Sequence, residues 1–221
     1  MGHLSHGPAN RGRRVLQTAA PLFVREPWNG VDVRGGVVVL HDVLGVTDLA
    51  EDACRRLARD GRLAVSPYLY YEHGGPAFDT AELAVARREM ERLRGEDLAA
   101  DIDGAVSYLK GRGVSWVAVV GFSMGGYLAT WAAAHLDVAA AVAVSPSGAG
   151  AAPWDGLPPL EKLLPEVRAP WLGVVGERDP QALAVAPEGA VVTIPGAPHG
   201  FYREGLDPAL WGRIAAFLGG A

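Results

Sequence analysis

From Leu22 onward, short runs of apolar residues alternate with stretches whose apolar positions recur at intervals of three and four. The runs fall near residues 22 to 26, 36 to 41, 62 to 67, 115 to 121, 138 to 145, 170 to 176 and 190 to 195. Some, such as 37 to 40 and 116 to 120, are apolar at every position and rich in β-branched residues, the signature of parallel strands buried on both faces. Between them the pattern predicts helices. Asp48 with Glu51 resembles a capping box opening a helix that Gly61 stops, with Cys54 on its apolar side beside Leu49, Ala53 and Leu57. Leu83, Ala86, Met90 and Leu93 mark a second helix, and Leu98, Ile102, Ala105 and Leu109, after Gly95, a third. Near the end Asp207 is placed to cap, Pro208 to occupy the first helical position, and Leu210, Ile214 and Phe217 to form the buried stripe before Gly219.

The alternation predicts an α/β fold: a mostly parallel, doubly wound sheet flanked by helices, with its ligand crevice at the carboxyl ends of the strands. Residues 1 to 14, with His3, His6 and the cluster Arg11, Arg13 and Arg14, carry no periodicity and read as a flexible segment, so 15 to 221 form the predicted single domain. The stretch from Ser145 to Pro170 is rich in glycine and proline and reads as a mobile loop beside the site.

Composition removes several function classes. With 221 residues, 49% hydrophobic, and a formal charge of -5, the chain offers no basic face for nucleic acid. Its longest aliphatic run, 138 to 144, is far below the roughly 20 residues that cross a bilayer, and the N-terminus lacks a signal peptide's apolar core; a cytoplasmic location without membrane partners is the expectation. The single cysteine, Cys54, excludes an intrachain disulfide and reads as a buried structural thiol.

The chemistry concentrates in Gly121-Phe122-Ser123-Met124-Gly125, set between an apolar strand and an alanine-rich helix. This is the nucleophile-elbow spacing, Gly-x-Ser-x-Gly, in the strand-turn-helix context it requires. A serine hydroxyl needs freedom from crowding and a base beside it, and flanking glycines let a strained turn pass close to its neighbours. Neither phosphate-loop pattern is present. The elbow predicts an acid and then a histidine after later strands, and Asp179 and His199 stand there. His199 would take the serine proton, with Asp179 orienting the ring; Glu177 is the alternative acid. His135 ends the elbow helix, too far along it to serve, and His73 precedes the nucleophile. The oxyanion donors would be the amides of Met124 and of Val43 in the loop His41-Asp42-Val43-Leu44-Gly45. His41 and Asp42 alone, with no second ligand pair at metal spacing, do not make a metal site.

In these residues the chain resembles the dienelactone hydrolase family. The resemblance runs from about Leu22 to Leu218 through His41-Asp42-Val43-Leu44-Gly45, Pro67-Tyr68-Leu69-Tyr70, Gly121-Phe122-Ser123-Met124-Gly125-Gly126, Asp179 and His199-Gly200-Phe201. It implies an α/β-hydrolase fold without a large cap domain, acting on small esters or lactones with no cofactor; no metal is expected, and the sequence leaves monomer and homodimer undecided. Asp42, Tyr70, Glu72 and Arg203 become candidate substrate-binding residues. Members that open dienelactones carry cysteine where this chain has Ser123, glutamate where it has Asp42, and an arginine where Glu72 stands. Glu72 in the site would oppose an anionic substrate, so neutral short-chain esters are expected over anionic lactones. An acyl-protein or lysophospholipid-type thioesterase, and a hydrolase-fold binding protein without turnover, are the alternatives.

Overall fold

Among the residues described by the computed structural model, 20–28, 33–72, 75, 77–181 and 190–219, seven strands form one sheet. They are β1 (Leu22–Arg25), β2 (Gly35–Leu40), β3 (Arg62–Pro67), β4 (Val117–Phe122), β5 (Ala140–Val144), β6 (Trp171–Gly176) and β7 (Val191–Ile194), in the spatial order β1-β3-β2-β4-β5-β6-β7. β1 runs antiparallel to β3, and every other pairing is parallel. Residues 1 to 14 and His73 lie outside the described residues.

Each parallel strand divides its side chains between two apolar layers, because successive residues point to opposite faces. On one face Val38, Leu40 and Val119 meet α3 (Gly95–Gly111) and α4 (Met124–His135) through Ile102, Leu109, Leu128 and Ala132. On the other, Val37, Val39, Val120 and Phe122 meet Cys54 and Leu57 of α1 (Asp48–Arg59) and Trp211, Ile214 and Leu218 of α6 (Pro208–Gly219). Cys54 is fully buried, and burial pushes its thiol well above the ordinary cysteine range, as the structural reading expects.

Local details depart from the pattern at three places. Thr47, not Asp48, is the N-cap of α1 and makes no side-chain cap bond; Asp48 and Glu51 lie inside the first turn, where they complement the helix dipole. A capping box does form one helix later, where Asp79 and Glu82 cap the 3₁₀ turn Thr80–Glu82 that leads into α2 (Leu83–Arg92). In α6 the Asp207 cap forms, its Oδ1 accepting from the Ala209 and Leu210 amides, yet the buried stripe is Trp211, Ile214 and Leu218, with Leu210 and Phe217 at its margins. The segment 145–170 is also more firmly packed than its composition suggests. Trp154, Leu157, Leu160, Leu163 and Leu164 are buried, the last three in or just after α5 (Leu160–Leu163), and the Trp154 indole donates to the Met90 carbonyl.

After β2 the chain crosses to β3 on one side, then returns past β2 to place β4 on the other side. The winding reverses between β2 and β4, the switch point at which sheets of this kind form their crevice. The loops after β2 and β4 carry Val43 and Ser123.

Candidate active site

Ser123 sits where β4 turns into α4, with φ 52° and ψ -110°, a conformation that L-residues rarely adopt. The glycines make this turn possible by what they lack. A Cβ on Gly125 would come within 2.5 Å of the His41 carbonyl oxygen and closer still to that of Leu40, and one on Gly121 would overlap the Gly125 carbonyl. The elbow therefore presses against the carboxyl end of β2. Ser123 is 6% exposed, and its carbonyl accepts from the Tyr127 and Ser147 amides.

The Ser123 Oγ lies 2.9 Å from His199 Nε2, and His199 Nδ1 lies 2.7 Å from Asp179 Oδ2. Asp179 follows β6 and is 1% exposed; its other oxygen accepts from the Gln181 amide. His199 follows β7 in a turn closed by Gly200 at φ 77°. Glu177, the alternative acid, points instead to the Gly196 amide at 2.7 Å on the exposed side. His135 stacks on Trp131 at the far end of α4.

The loop after β2 is held from several directions. Asp42 is buried, and its Oδ1 accepts from the Leu44 amide at 2.9 Å. Its Oδ2 accepts from Arg203 Nε at 2.8 Å and from the Tyr202 hydroxyl at 3.2 Å. Burial alone would lower the pKa of Arg203, but the adjoining Asp42 carboxylate outweighs it and raises it. His41 uses both ring nitrogens: Nδ1 lies 2.7 Å from the Asp42 carbonyl, and Nε2 accepts from the Leu69 amide at 3.4 Å. Burial lowers its pKa despite the opposing effect of Asp42, which suits a neutral ring in this role. Among the described residues, neither the Val43 nor the Met124 amide donates to a backbone carbonyl.

A cavity of about 310 Å³ opens over Ser123, lined by Val43, Arg87, Met90, Ser147, Gln181, His199 and Arg203. Three of the four candidate substrate-binding residues, Asp42, Tyr70 and Glu72, are not part of its lining. Tyr70 is buried behind the loop, its hydroxyl donating to the Val43 carbonyl at 3.0 Å and touching the Met124 sulfur at 3.4 Å. Glu72 lines a separate hollow with Tyr71, Arg94, Asp97 and Asp101, so the expected repulsion of an anionic substrate loses its premise. Arg203 does face the cavity, although its Nε is engaged by Asp42. Sequence reasoning passed over Arg87, Met90, Ser147, Gln181 and Tyr202. For Arg87 a signal existed: it stands three residues before Met90, a spacing that puts both on one face of α2. A larger hollow of about 920 Å³, between the start of α3 and residues 152–157, lies away from Ser123.

Comparison with known proteins agrees with this architecture. The model of the dienelactone hydrolase family matches residues 24–207. A Salmonella typhimurium protein described as "Putative carboxymethylenebutenolidase" is 30% identical over 209 residues, covering 86% of this chain and 77% of that protein. A crystal structure of a "Putative Dienelactone Hydrolase" from Klebsiella pneumoniae superposes with a TM-score of 0.75 at 25% identity, covering 90% of this chain and 92% of that one. A Xanthomonas campestris structure described as an α/β serine hydrolase without lid matches at a TM-score of 0.56 and 20% identity over 88% of this chain and 87% of its own, a likeness of fold. Among the described residues no helix is long and apolar enough to cross a membrane. An elbow at the switch point of a mostly parallel sheet, a family model spanning most of the chain and relatives matched along most of their length lead to one conclusion: the chain belongs to the dienelactone hydrolase family, hydrolases with the α/β-hydrolase fold and, among the described residues here, no large cap.

Proposed function

We propose that this protein cleaves small carboxylic esters or lactones through an acyl-enzyme on Ser123. The observation that carries the reading is the unbroken chain from Ser123 Oγ through His199 to the buried Asp179, at 2.9 and 2.7 Å. As Oγ attacks the carbonyl carbon, His199 Nε2 takes the serine proton and the carbonyl π pair moves onto oxygen. Asp179 holds Nδ1-H and stabilises the imidazolium. The Val43 and Met124 amides, which among the described residues donate to no backbone carbonyl, would donate to the developing oxyanion, and Tyr70 ties the two residues together from behind. Collapse of the adduct returns the pair to the carbonyl, breaks the bond to the leaving oxygen and gives that oxygen the proton from His199. Water, deprotonated by His199, then releases the acid.

A cavity of about 310 Å³ stands at the small end of ligand sites and favours a short acyl group over a long chain. Arg87 and Arg203 on its lining, with no acidic residue among the described lining residues, admit a carboxylate on the substrate. The test is a panel of p-nitrophenyl esters of increasing length beside small lactones, with fluorophosphonate labelling of wild type and Ser123→Ala. Labelling of wild type alone is expected, with kcat falling on the order of 10⁶ in the variant. Activity within tenfold of wild type in Ser123→Ala would remove Ser123 from the mechanism, and an unlabelled, inactive wild type would favour a binding protein.

A further inference from the structure

The amino ends of the strands, at the opposite edge of the sheet from Ser123, carry a second group of charges. Arg34 precedes β2, Arg59 and Asp60 end α1, and Arg62 opens β3. The Arg34 amide donates to the Gly61 carbonyl at 2.7 Å, which holds the two strand starts together. With Ala215 and Ala216 of α6 these four residues line an open hollow of about 350 Å³. None of them lines the cavity over Ser123.

Three guanidinium groups facing one carboxylate leave this hollow with two positive charges in excess, on a chain whose formal charge is -5. The arginines are also incompletely compensated. Arg62 is buried; its Nη1 donates to Asp60 Oδ2 at 3.3 Å and its Nη2 to the Ala215 carbonyl at 2.8 Å. Its Nε is buried with no hydrogen-bond partner among the described residues, whereas a buried cation is ordinarily paired and bonded throughout. The one carboxylate beside it, Asp60, is half-exposed, which weakens its pull. Arg34 and Arg59 make no ion pair among the described residues. Arg59 is held instead by an aromatic ring, its Cζ lying 5.4 Å from the centroid of Trp28. Burial lowers the pKa of Arg62, and although Asp60 opposes this, the neighbouring charge of Arg34 adds to it; an anion between them would relieve both effects.

We propose that this hollow is a binding site for a phosphate group, held by Arg34, Arg59 and Arg62. A phosphate carries close to two negative charges near neutral pH, which matches the excess, and its oxygens accept the paired N–H groups of planar guanidinium forks. A monocarboxylate has one charge and two oxygens, and would leave three arginines under-matched. The volume lies within the range of small-ligand sites, so it admits inorganic phosphate or the phosphate of a small organic molecule. A bound phosphate would tie the start of β2, the end of α1 and the start of β3 into one unit and stabilise the fold by linkage.

The experiment titrates the wild type calorimetrically at about pH 8, where phosphates are dianionic, with inorganic phosphate and separately with glycerol 3-phosphate, in potassium chloride of matched ionic strength. Expected is saturable binding at one site that weakens as chloride is raised. At about ten times the Kd the melting temperature should rise by about 3 to 6 °C over the chloride control. Arg34 and Arg59 are exposed, so the double variant Arg34→Gln/Arg59→Gln should fold as the wild type does and lose at least about tenfold in affinity. Asp60→Asn removes the only carboxylate on the hollow and should tighten binding about threefold. Tighter binding of glycerol 3-phosphate would assign an organic phosphate as the ligand, and equal affinity a free phosphate. General exclusion of phosphate from protein surfaces would raise the melting temperature of wild type and double variant alike. That equality, weaker binding in Asp60→Asn, or no saturable binding of either probe would overturn the site. None of these readouts uses Ser123, so the result stands apart from the outcome of the esterase assay.

Discussion

Gly125→Ala tests whether the strained elbow is what aligns the site. The added methyl carbon would lie 2.5 Å from the His41 carbonyl oxygen and nearer still to that of Leu40, about an ångström or more inside ordinary contact. Both obstacles are backbone, so no side chain can swing aside. Either α4 moves away from β2 or the end of β2 bends, and in both cases the Val43 and Met124 amides separate from the geometry that Tyr70 bridges. Overpacking of this kind costs about 1 to 3 kcal/mol, which lowers the melting temperature by roughly 2 to 12 °C in a chain of this size. A displacement of about 1 Å between catalytic groups costs on the order of 10² in rate, so the loss of kcat should exceed what the surviving folded fraction explains. The assay is kcat per fluorophosphonate-titrated site at a temperature where circular dichroism shows the variant folded. Gly212→Ala is the control: nothing lies within 4 Å of its hypothetical Cβ in α6, and it should gain up to about 1 kcal/mol with unchanged kcat. A folded Gly125→Ala protein with kcat within threefold of wild type would refute the alignment argument.

Asp179→Asn should cost roughly 10⁴ in kcat because an amide cannot stabilise the imidazolium; Glu177→Gln, at a side chain that accepts from the Gly196 amide, should leave kcat within about twofold, and the reverse result would reassign the acid. His41 has a folded pKa held below its unfolded value, so the unfolded chain takes up a proton that the native chain refuses. Stability from this group is present above pH ~6.5 and declines as pH falls below it. Melting temperature should drop between pH 7.5 and 5.5 more steeply in wild type than in His41→Asn, and equal slopes would exclude His41. Arg87→Glu should reduce kcat/KM for a carboxylate-bearing ester about fivefold relative to its neutral methyl ester, whereas Glu72→Arg, in a separate hollow, should change neither by more than twofold. Equal effects of Arg87→Glu on both esters would place that guanidinium outside the substrate's reach.

The central strands β2, β4, β5 and β6 were legible because parallel strands buried on both faces must be continuously apolar, and all seven strands fall where the runs predict. That Ser123, Asp179 and His199 come together was legible for a related reason: each follows a strand, and the sheet fixes where strand ends point. Side chains on loops and short turns were not. Glu72 occupies a motif position but follows a turn whose course depends on tertiary contacts, and it faces a different hollow. Tyr70 was named for the substrate yet is buried behind Val43, because its register in the turn after β3 aims the ring into the core. Tyr202 carried no periodic signal, since a 3₁₀ turn of four residues is too short to show one. The packing of 145–170 was hidden by its glycines and prolines, which mark turns without showing that Trp154 and four leucines between them are anchored inside.

β7 has only four residues, none of them fully buried, and among the described residues it pairs with the sheet on one side alone, through β6. The parts of the site are therefore unequally anchored. Ser123 and the proposed oxyanion amides follow strands at the centre of the sheet, while His199, the proposed base, follows β7, the last strand in the order of the described residues. Separating one edge strand from its neighbour requires far less energy than melting the centre. Warming should thus extinguish catalysis before it dissolves the fold, with β7 amides exchanging with solvent earlier than those of β4. In that partly opened form Ser123 would stay in place without His199 beside it, and cooling would restore the activity.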